Sequence, residues 1–279
     1  MVTDFPKTMK VLSEGYHGTW DPFVSLTSPA TGVPPDPNME KLDPALNEEQ
    51  IASASAVIVE PVMTDWSQQR IDWLQRLRDI CTKYDTILIF DEVITNCRYK
   101  KHSVAAATGI YPDLMVIGKA VANGFPLAAV GGKKELMDGN YFVSSTYAGE
   151  VLSLVSCMWT VDMLLNNGAY KIDRLWEQGL KFIEHFNAVA PPGLKLEGYP
   201  TRGSFTGDPL TKALFFQEAV KAGFLFGPSW FSSFANCEHD YKFFTFFKDF
   251  TDRLRLGSVQ LQGRMPKSPF AERVRSGNA

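Results

Sequence analysis

Hydrophobic and polar positions fall into two different rhythms along this chain. In the first half, Ile87-Leu88-Ile89-Phe90 and Leu114-Met115-Val116-Ile117 are uninterrupted apolar runs, and Ala56-Val57-Ile58-Val59 has the same character. The first two are too short for helices and rich in branched side chains, which predicts fully buried parallel strands. Lys10-Val11-Leu12 is also strand-like. Between them, Asp65 to Lys83 places Ile71, Trp73, Leu74, Leu77 and Ile80 at helical spacing, so a helix packs on the sheet before the Asp91 strand. Gly149 to Leu165 alternates small and large apolar residues and predicts a buried helix. Strands alternating with helices predict an α/β architecture. After Asn166 the pattern weakens. Arg174 to Phe186 predicts an amphipathic helix ending before Pro191-Pro192-Gly193; Lys195 to Thr206 and Leu214 to Gln217 read as short strands, and Ala219 to Gly227 as a helix running into a turn. Gly32 to Pro37 is a Pro- and Gly-containing loop, read as a lid or subunit contact.

The two buried runs end in chemistry. Asp91 closes the first, and Gly118-Lys119 closes the second. Parallel strands deliver their carboxyl ends to one edge of a sheet, where α/β folds bind ligands. Alone, Asp91 reads as a helix cap and Gly118-Lys119 as a solvated turn. An apolar strand ending in Asp91-Glu92 also suggests a P-loop ATPase, but no G-x-x-x-x-G-K-[ST] loop exists, and Ala120 follows Lys119. Lysine and carboxylate together suit pyridoxal phosphate: the amine forms a Schiff base with the aldehyde, and the carboxylate keeps the ring nitrogen protonated.

The words around these residues carry a resemblance. Gly15-Tyr16-His17-Gly18, Val59-Glu60-Pro61, Phe90-Asp91-Glu92-Val93, Tyr111-Pro112-Asp113-Leu114, Gly118-Lys119-Ala120, Asn123-Gly124-Phe125-Pro126-Leu127 and Ser144-Ser145-Thr146-Tyr147-Ala148-Gly149-Glu150 occur in this order. From about Lys10 to Leu165 the chain resembles the class III pyridoxal-phosphate aminotransferases, most of all their glutamate-1-semialdehyde aminomutase-like branch. The resemblance implies fold type I: a mostly parallel sheet flanked by helices, with a smaller α+β C-terminal domain. It implies a cofactor domain over 1–165, incomplete on its N-terminal side, and a small domain over 166–279. By the same resemblance Lys119 holds pyridoxal 5'-phosphate as an internal aldimine and shuttles a proton. Asp91 partners the ring nitrogen, Val93 lies on one ring face and Tyr16 stacks on the other. His17 packs in the same turn, and Glu60 stands near the phenolic oxygen. Thr146 reaches the phosphate held by a neighbouring subunit, which implies an oligomer with a shared site.

Departures from the family pattern sharpen the picture. Ile94 stands where many ω-aminotransferases carry Gln, which favours the aminomutase-like branch. Asn96-Cys97 replaces the usual Gly-Phe before Arg98, so the loop that aims this arginine has changed. Family members also carry a long segment before Gly15-Tyr16-His17-Gly18, with the loop that cradles the cofactor phosphate; here Met1 to Met9 precede the motif strand. The expectation is a split enzyme, completed by a companion chain that supplies the N-terminal half. The substrate is a small amine or amino acid. A decarboxylase or racemase using the same ring, and a non-catalytic subunit of an intact homologue, are the competing readings.

Composition adds exclusions. At 279 residues and 45% hydrophobic content the chain buries a large core. A net charge of −3 offers no basic footprint for nucleic acid. Cys81, Cys97, Cys157 and Cys237 are scattered without metal spacing and read as reduced thiols of a cytoplasmic protein, and Cys97 as a packing residue rather than a nucleophile. His17, His102, His185 and His239 form no ligand cluster. No signal peptide or membrane span is visible. The phenylalanines between Phe215 and Phe250 are read as core and interface packing rather than a cofactor box.

Overall fold

The computed structural model describes residues 9–27, 32–139, 144–168, 171–237 and 240–266. They divide into two units, one formed by the chain up to Met63 with Ser67–Asn166, the other by Thr64–Trp66 and the residues from Asn167 onward.

In the first unit strands and helices alternate: β1 (Val11–Glu14), α1 (Asp21–Val24), β2 (Met39–Lys41), α2 (Glu48–Ser53), β3 (Ala56–Val59), α3 (Gln68–Lys83), β4 (Ile87–Asp91), α4 (Val104–Thr108), β5 (Leu114–Gly118), β6 (Ala128–Gly132), α5 (Lys134–Met137) and α6 (Val151–Asn166). The sheet order is β2-β1-β3-β4-β5-β6. All neighbours are parallel except β5 and β6, which run antiparallel. Every residue of β3 is buried, as an apolar run covered on both faces should be. The Ser67 hydroxyl caps α3 by accepting the Arg70 N–H, and the helix buries Leu74, Leu77, Ile80 and Cys81 along one stripe. Complete burial of Leu74 and Leu77 stabilises the unit by roughly 1.5–3 kcal/mol each.

Asp113 locks the entry to β5. Its Oδ2 accepts the Leu88 N–H at 2.7 Å and Arg78 Nη1 at 2.8 Å, and its Oδ1 pairs with Lys133 Nζ at 2.6 Å. Burial pushes this carboxyl up, but the hydrogen bonds from Lys133, Leu88 and Arg78 outweigh burial and hold it below its ordinary value.

Two expectations fail in this unit. β4 and β5 run parallel, yet neither is fully buried: Ile87 and Ile89 of β4 are half-buried, and so are Leu114 to Ile117 of β5, whose other neighbour, β6, is exposed along its whole length. α6 is a helix, as its pattern predicts, but it is not buried. Ser153 is its one buried residue, and Val151, Leu152, Met158, Trp159 and Leu165 are each more than half exposed.

The second unit contains α7 (Ile172–Val189), β7 (Leu194–Tyr199), β8 (Arg202–Gly207), α8 (Pro209–Lys221), β9 (Ser229–Phe231), α9 (Phe234–Cys237) and α10 (Asp240–Arg255). Its sheet is antiparallel in the order β7-β8-β9. The phenylalanines are core: Phe186 stacks on Phe247 at 4.3 Å, and Phe182 on Trp230 at 4.7 Å. Gly179 lets α7 pass the next chain segment, since a Cβ there would collide with the carbonyl oxygen of Pro200. Leu214 to Gln217 is not a strand but the middle of α8. Asp208 accepts the Thr211 N–H at 2.7 Å, and Pro209 occupies the first turn, so a strong helix start precedes the apolar run. A short apolar run alone does not distinguish strand from buried helix.

Candidate active site

Parallel pairing brings the ends of β1, β3, β4 and β5 to one edge of the sheet, and acidic residues gather there. Glu14 ends β1, Glu60 follows β3, and Asp91 ends β4. Asp91 is opposite Val116 in the β4–β5 register, so Lys119 stands three residues beyond its partner on the adjacent strand. Lys119 opens a 3₁₀ turn (Lys119–Ala122), has φ +48°, and is exposed.

Asp91 is held on both oxygens. Oδ1 accepts the Val93 N–H at 3.0 Å, and Oδ2 lies 2.8 Å from His17 Nδ1. The His17 side chain is 2% exposed. Its Nε2 lies 3.2 Å from the carbonyl oxygen of Glu14, and its ring rests on Phe23 at 5.2 Å. The imidazole is therefore fixed between β1 and the carboxylate. Val93 faces Gly118: a Cβ at that glycine would sit 3.5 Å from Val93 Cγ1, which places this side chain beside the lysine turn.

The turn after β1 depends on Glu60, which is 6% exposed. Its Oε2 accepts the Tyr16 N–H at 2.8 Å. Gly15 has φ +111°, and an added Cβ would lie 2.8 Å from that same oxygen, so both backbone and space demand glycine. Tyr16 is 50% exposed. Tyr16, His17, Gly15, Glu14, Phe23 and Leu42 help line a cavity of about 300 Å³. A second, open cavity of about 370 Å³ is lined by Lys119, Arg98, Asn123 and Phe125 among others, so the altered loop still brings Arg98 to the lysine.

Three supporting residues escape sequence reasoning. Arg70, on α3, donates Nη1 and Nη2 to the two Glu14 carboxylate oxygens at 3.2 and 2.9 Å, Nη2 to the Glu60 carbonyl at 2.9 Å and Nε to the Pro61 carbonyl at 2.9 Å. One guanidinium thereby fixes the ends of β1 and β3. Glu92 is fully buried and accepts the Thr95 hydroxyl and the N–H groups of Val104 and Ala105, tying β4 to α4. Burial pushes its carboxyl above the usual range. Asn96 donates Nδ2 to the carbonyls of Glu92 and Gly118 at 2.6 and 3.0 Å, stitching the Arg98 loop to the residue before Lys119. No local pattern marks these roles, because each residue also bonds to a partner on another element, ten or more positions away.

Thr146 and Tyr147 are exposed, and the structure does not bring Thr146 to Asp91 or Lys119 in either cavity. Burial pushes the Cys97 thiol up to about 11 and the Cys81 thiol up to about 12, which makes poor nucleophiles of both. Cys237 and His239 have side chains outside the described residues. Among the described residues no group of metal-ligating side chains forms, and no helix is long and apolar enough to cross a membrane.

Comparison with known proteins gives the arrangement a context. The sequence profile of the class III aminotransferases matches residues 36–187. A glutamate-1-semialdehyde 2,1-aminomutase of Syntrophobacter fumaroxidans is 30% identical over 206 residues, 64% of this chain and 47% of the relative. The enzyme of the same name from Clostridium tetani is 28% identical over 223 residues, 70% of this chain and 52% of the relative. The chain thus spans about half the length of the curated relatives it matches. Among solved structures, the pyridoxal phosphate internal aldimine form of the FumI protein from Sphingopyxis sp. MTA144 superimposes with a TM-score of 0.76. Identity is 18%, and the match covers 90% of this chain and 67% of that one. At that identity the likeness concerns the fold.

Proposed function

Because the chain belongs to the class III aminotransferase family, we propose that it carries the lysine-bearing part of a pyridoxal-phosphate-dependent enzyme that transfers an amino group on a small amine or amino acid. The observation that supports this most directly is the strand register, which puts Lys119 just beyond Asp91 on the neighbouring strand, with His17 bonded to the same carboxylate.

The residues present suit the cofactor. Asp91 is 12% exposed at its side chain and is oriented by two hydrogen bonds, as a group that must hold a proton on a ring nitrogen requires. Bound there, pyridoxal phosphate supplies an aldehyde for the amine and a ring that accepts electron density. The chain's own groups do the remainder. The Lys119 amine, exposed at the sheet edge, holds the cofactor and then moves a proton at the substrate carbon beside the nitrogen. His17 keeps the Asp91 carboxylate in place, and Glu60 and Arg70 fix the turn that presents the Tyr16 ring. Arg98, in the lysine cavity, faces an incoming carboxylate.

Residues 1–165 serve as the cofactor domain and 166–279 as the smaller domain of a cytoplasmic oligomer. Thr146 contributes to a site shared between subunits. The aminomutase relatives and Ile94 favour return of the amino group to a neighbouring carbon over delivery to a second substrate.

The test is an absorption spectrum of the protein with pyridoxal phosphate, followed by borohydride reduction and peptide mapping. A visible band trapped on the Lys119 peptide, lost in Lys119→Ala, is expected. A complex whose activity survives Lys119→Ala would instead make this chain a non-catalytic subunit.

A further inference from the structure

The second unit carries a cavity for which amino-group transfer has no use. It measures about 450 Å³ and is bordered by α7, the loop from Gly223 to Gly227, β9 and the start of α10. All of its lining residues belong to the second unit. A volume of this size suits a small organic molecule. Much of the lining is aromatic. Phe182 stacks on Trp230 at 4.7 Å and on Phe243 at 5.3 Å, while Phe224 and Phe226 meet Phe243 edge-on at 5.6 and 5.4 Å. Phe182, Trp230 and Phe243 are buried in the core of this unit, which fixes the rings in place.

Two oxygen acceptors on this cavity lack donors. Gln178 lines it, and its Oε1 is closed off from solvent without a hydrogen-bond partner. Buried polar atoms are ordinarily paired, so an orphan acceptor calls for a donor. Asp240, in the first turn of α10, is half-buried and lines the same cavity. Among the described residues no hydrogen bond compensates that burial, which pushes its carboxyl above the usual range; only the charge of His185 opposes the push. Lys242 also borders the cavity, but it is exposed and pairs with neither acceptor. Two bare acceptors disfavour an anion, and among the described residues no group of metal-ligating side chains forms. A protonated amine meets both demands. Its N–H groups donate to the oxygens, and its positive charge is attracted to the faces of aromatic rings.

We propose that this cavity is a binding site for a protonated primary amine with an apolar body, held through Asp240 and Gln178 Oε1 and packed on the surrounding rings. The amine is a ligand there and not a reactant: no bond is made or broken. The inference goes beyond the amino-transfer reading and does not need it, since none of the residues that carry that reading lines this cavity.

Isothermal titration of the full chain, with no pyridoxal phosphate added, tests this. The probes are 2-phenylethylamine at neutral pH and 2-phenylethanol, which has the same apolar body without the charge. The expected result is one saturable site for the amine, which binds about tenfold or more tightly than the alcohol, as hydrogen bonds between charged partners imply. Asp240→Asn and Gln178→Leu should each weaken the amine by about tenfold, the scale of one such hydrogen bond. Far-UV circular dichroism checks that each variant is folded, and Gln178→Leu decides alone if Asp240→Asn is not. Lys119→Ala should bind the amine as the wild type does. Equal affinity for the alcohol overturns the proposal, because the cavity then recognises only an apolar body. So does the absence of a saturable site. An affinity that falls in Lys119→Ala yet survives in the two cavity variants places the amine at the sheet edge and overturns it too. Failure to trap cofactor on Lys119 sinks the catalytic reading alone and leaves this titration unchanged.

Discussion

Single residues divide here into those that sequence announces and those that only folding reveals. Asp91 and Lys119 close apolar runs, and a reader who knows that parallel strands end together infers that they meet at one edge. His17 is visible only as a histidine in a tight turn. That its ring touches Asp91, 74 positions away, and is shielded from water follows from the β1-β3-β4 order, which no local pattern encodes. Arg70 is less legible still, since an arginine on an amphipathic helix ordinarily points to solvent. Gly15 is the residue most tightly specified by its surroundings, being required both by a positive φ and by Glu60 Oε2. Gly15→Ala should cost about 2 kcal/mol, the usual magnitude for strained backbone. Urea unfolding followed by circular dichroism reads this, and a variant within a few tenths of wild type would show that the turn relaxes freely.

Elements follow the same division. β3, β4 and α3 form where their apolar runs and stripe place them, β3 buried throughout and β4 buried at Leu88 and Phe90, by neighbours within their own unit. Leu214 to Gln217 misleads, since the Asp208 cap and Pro209 upstream outweigh the β-like look of Leu-Phe-Phe. α6 has the expected conformation without the expected burial: periodicity fixes a helix, but not whether anything covers it. β5 depends on Asp113, whose three partners join α3, β4 and the end of β6. The carboxyl is depressed below its ordinary value of 3.8 in the folded state. The stabilisation it confers is therefore present above that value and is lost as pH falls through the lower folded value. Asp113→Asn should lower stability by about 2 kcal/mol at neutral pH, as expected for hydrogen bonds to a charged group. It should also flatten the acid limb of the urea midpoint plotted against pH. An equally steep acid limb in the variant would assign that limb to other carboxylates, such as Glu218, which Lys221, Gln217 and Arg253 hold at about 2 against the opposing effect of burial.

At the scale of the molecule, the outstanding fact is an imbalance between what is buried and what is left in water. Among the described residues the second unit packs its phenylalanines together, while the first leaves one sheet edge unpaired and one largely apolar helix exposed. An apolar-surface dye such as anilinonaphthalene sulfonate should brighten strongly on the isolated chain. Met158→Lys with Trp159→Lys should remove roughly half of that signal, given how much of the exposed patch these two side chains form. Unchanged brightness would place the sticky surface elsewhere. The open β6 edge also has a bearing on the economy of the cell. A strand of Ala-Ala-Val-Gly-Gly with no outer neighbour among the described residues is open to pairing with whichever strand reaches it first. Copies whose edge is caught in such a pairing enter the triage of chaperones and proteases, so the abundance of this protein should fall as that edge is exposed more often.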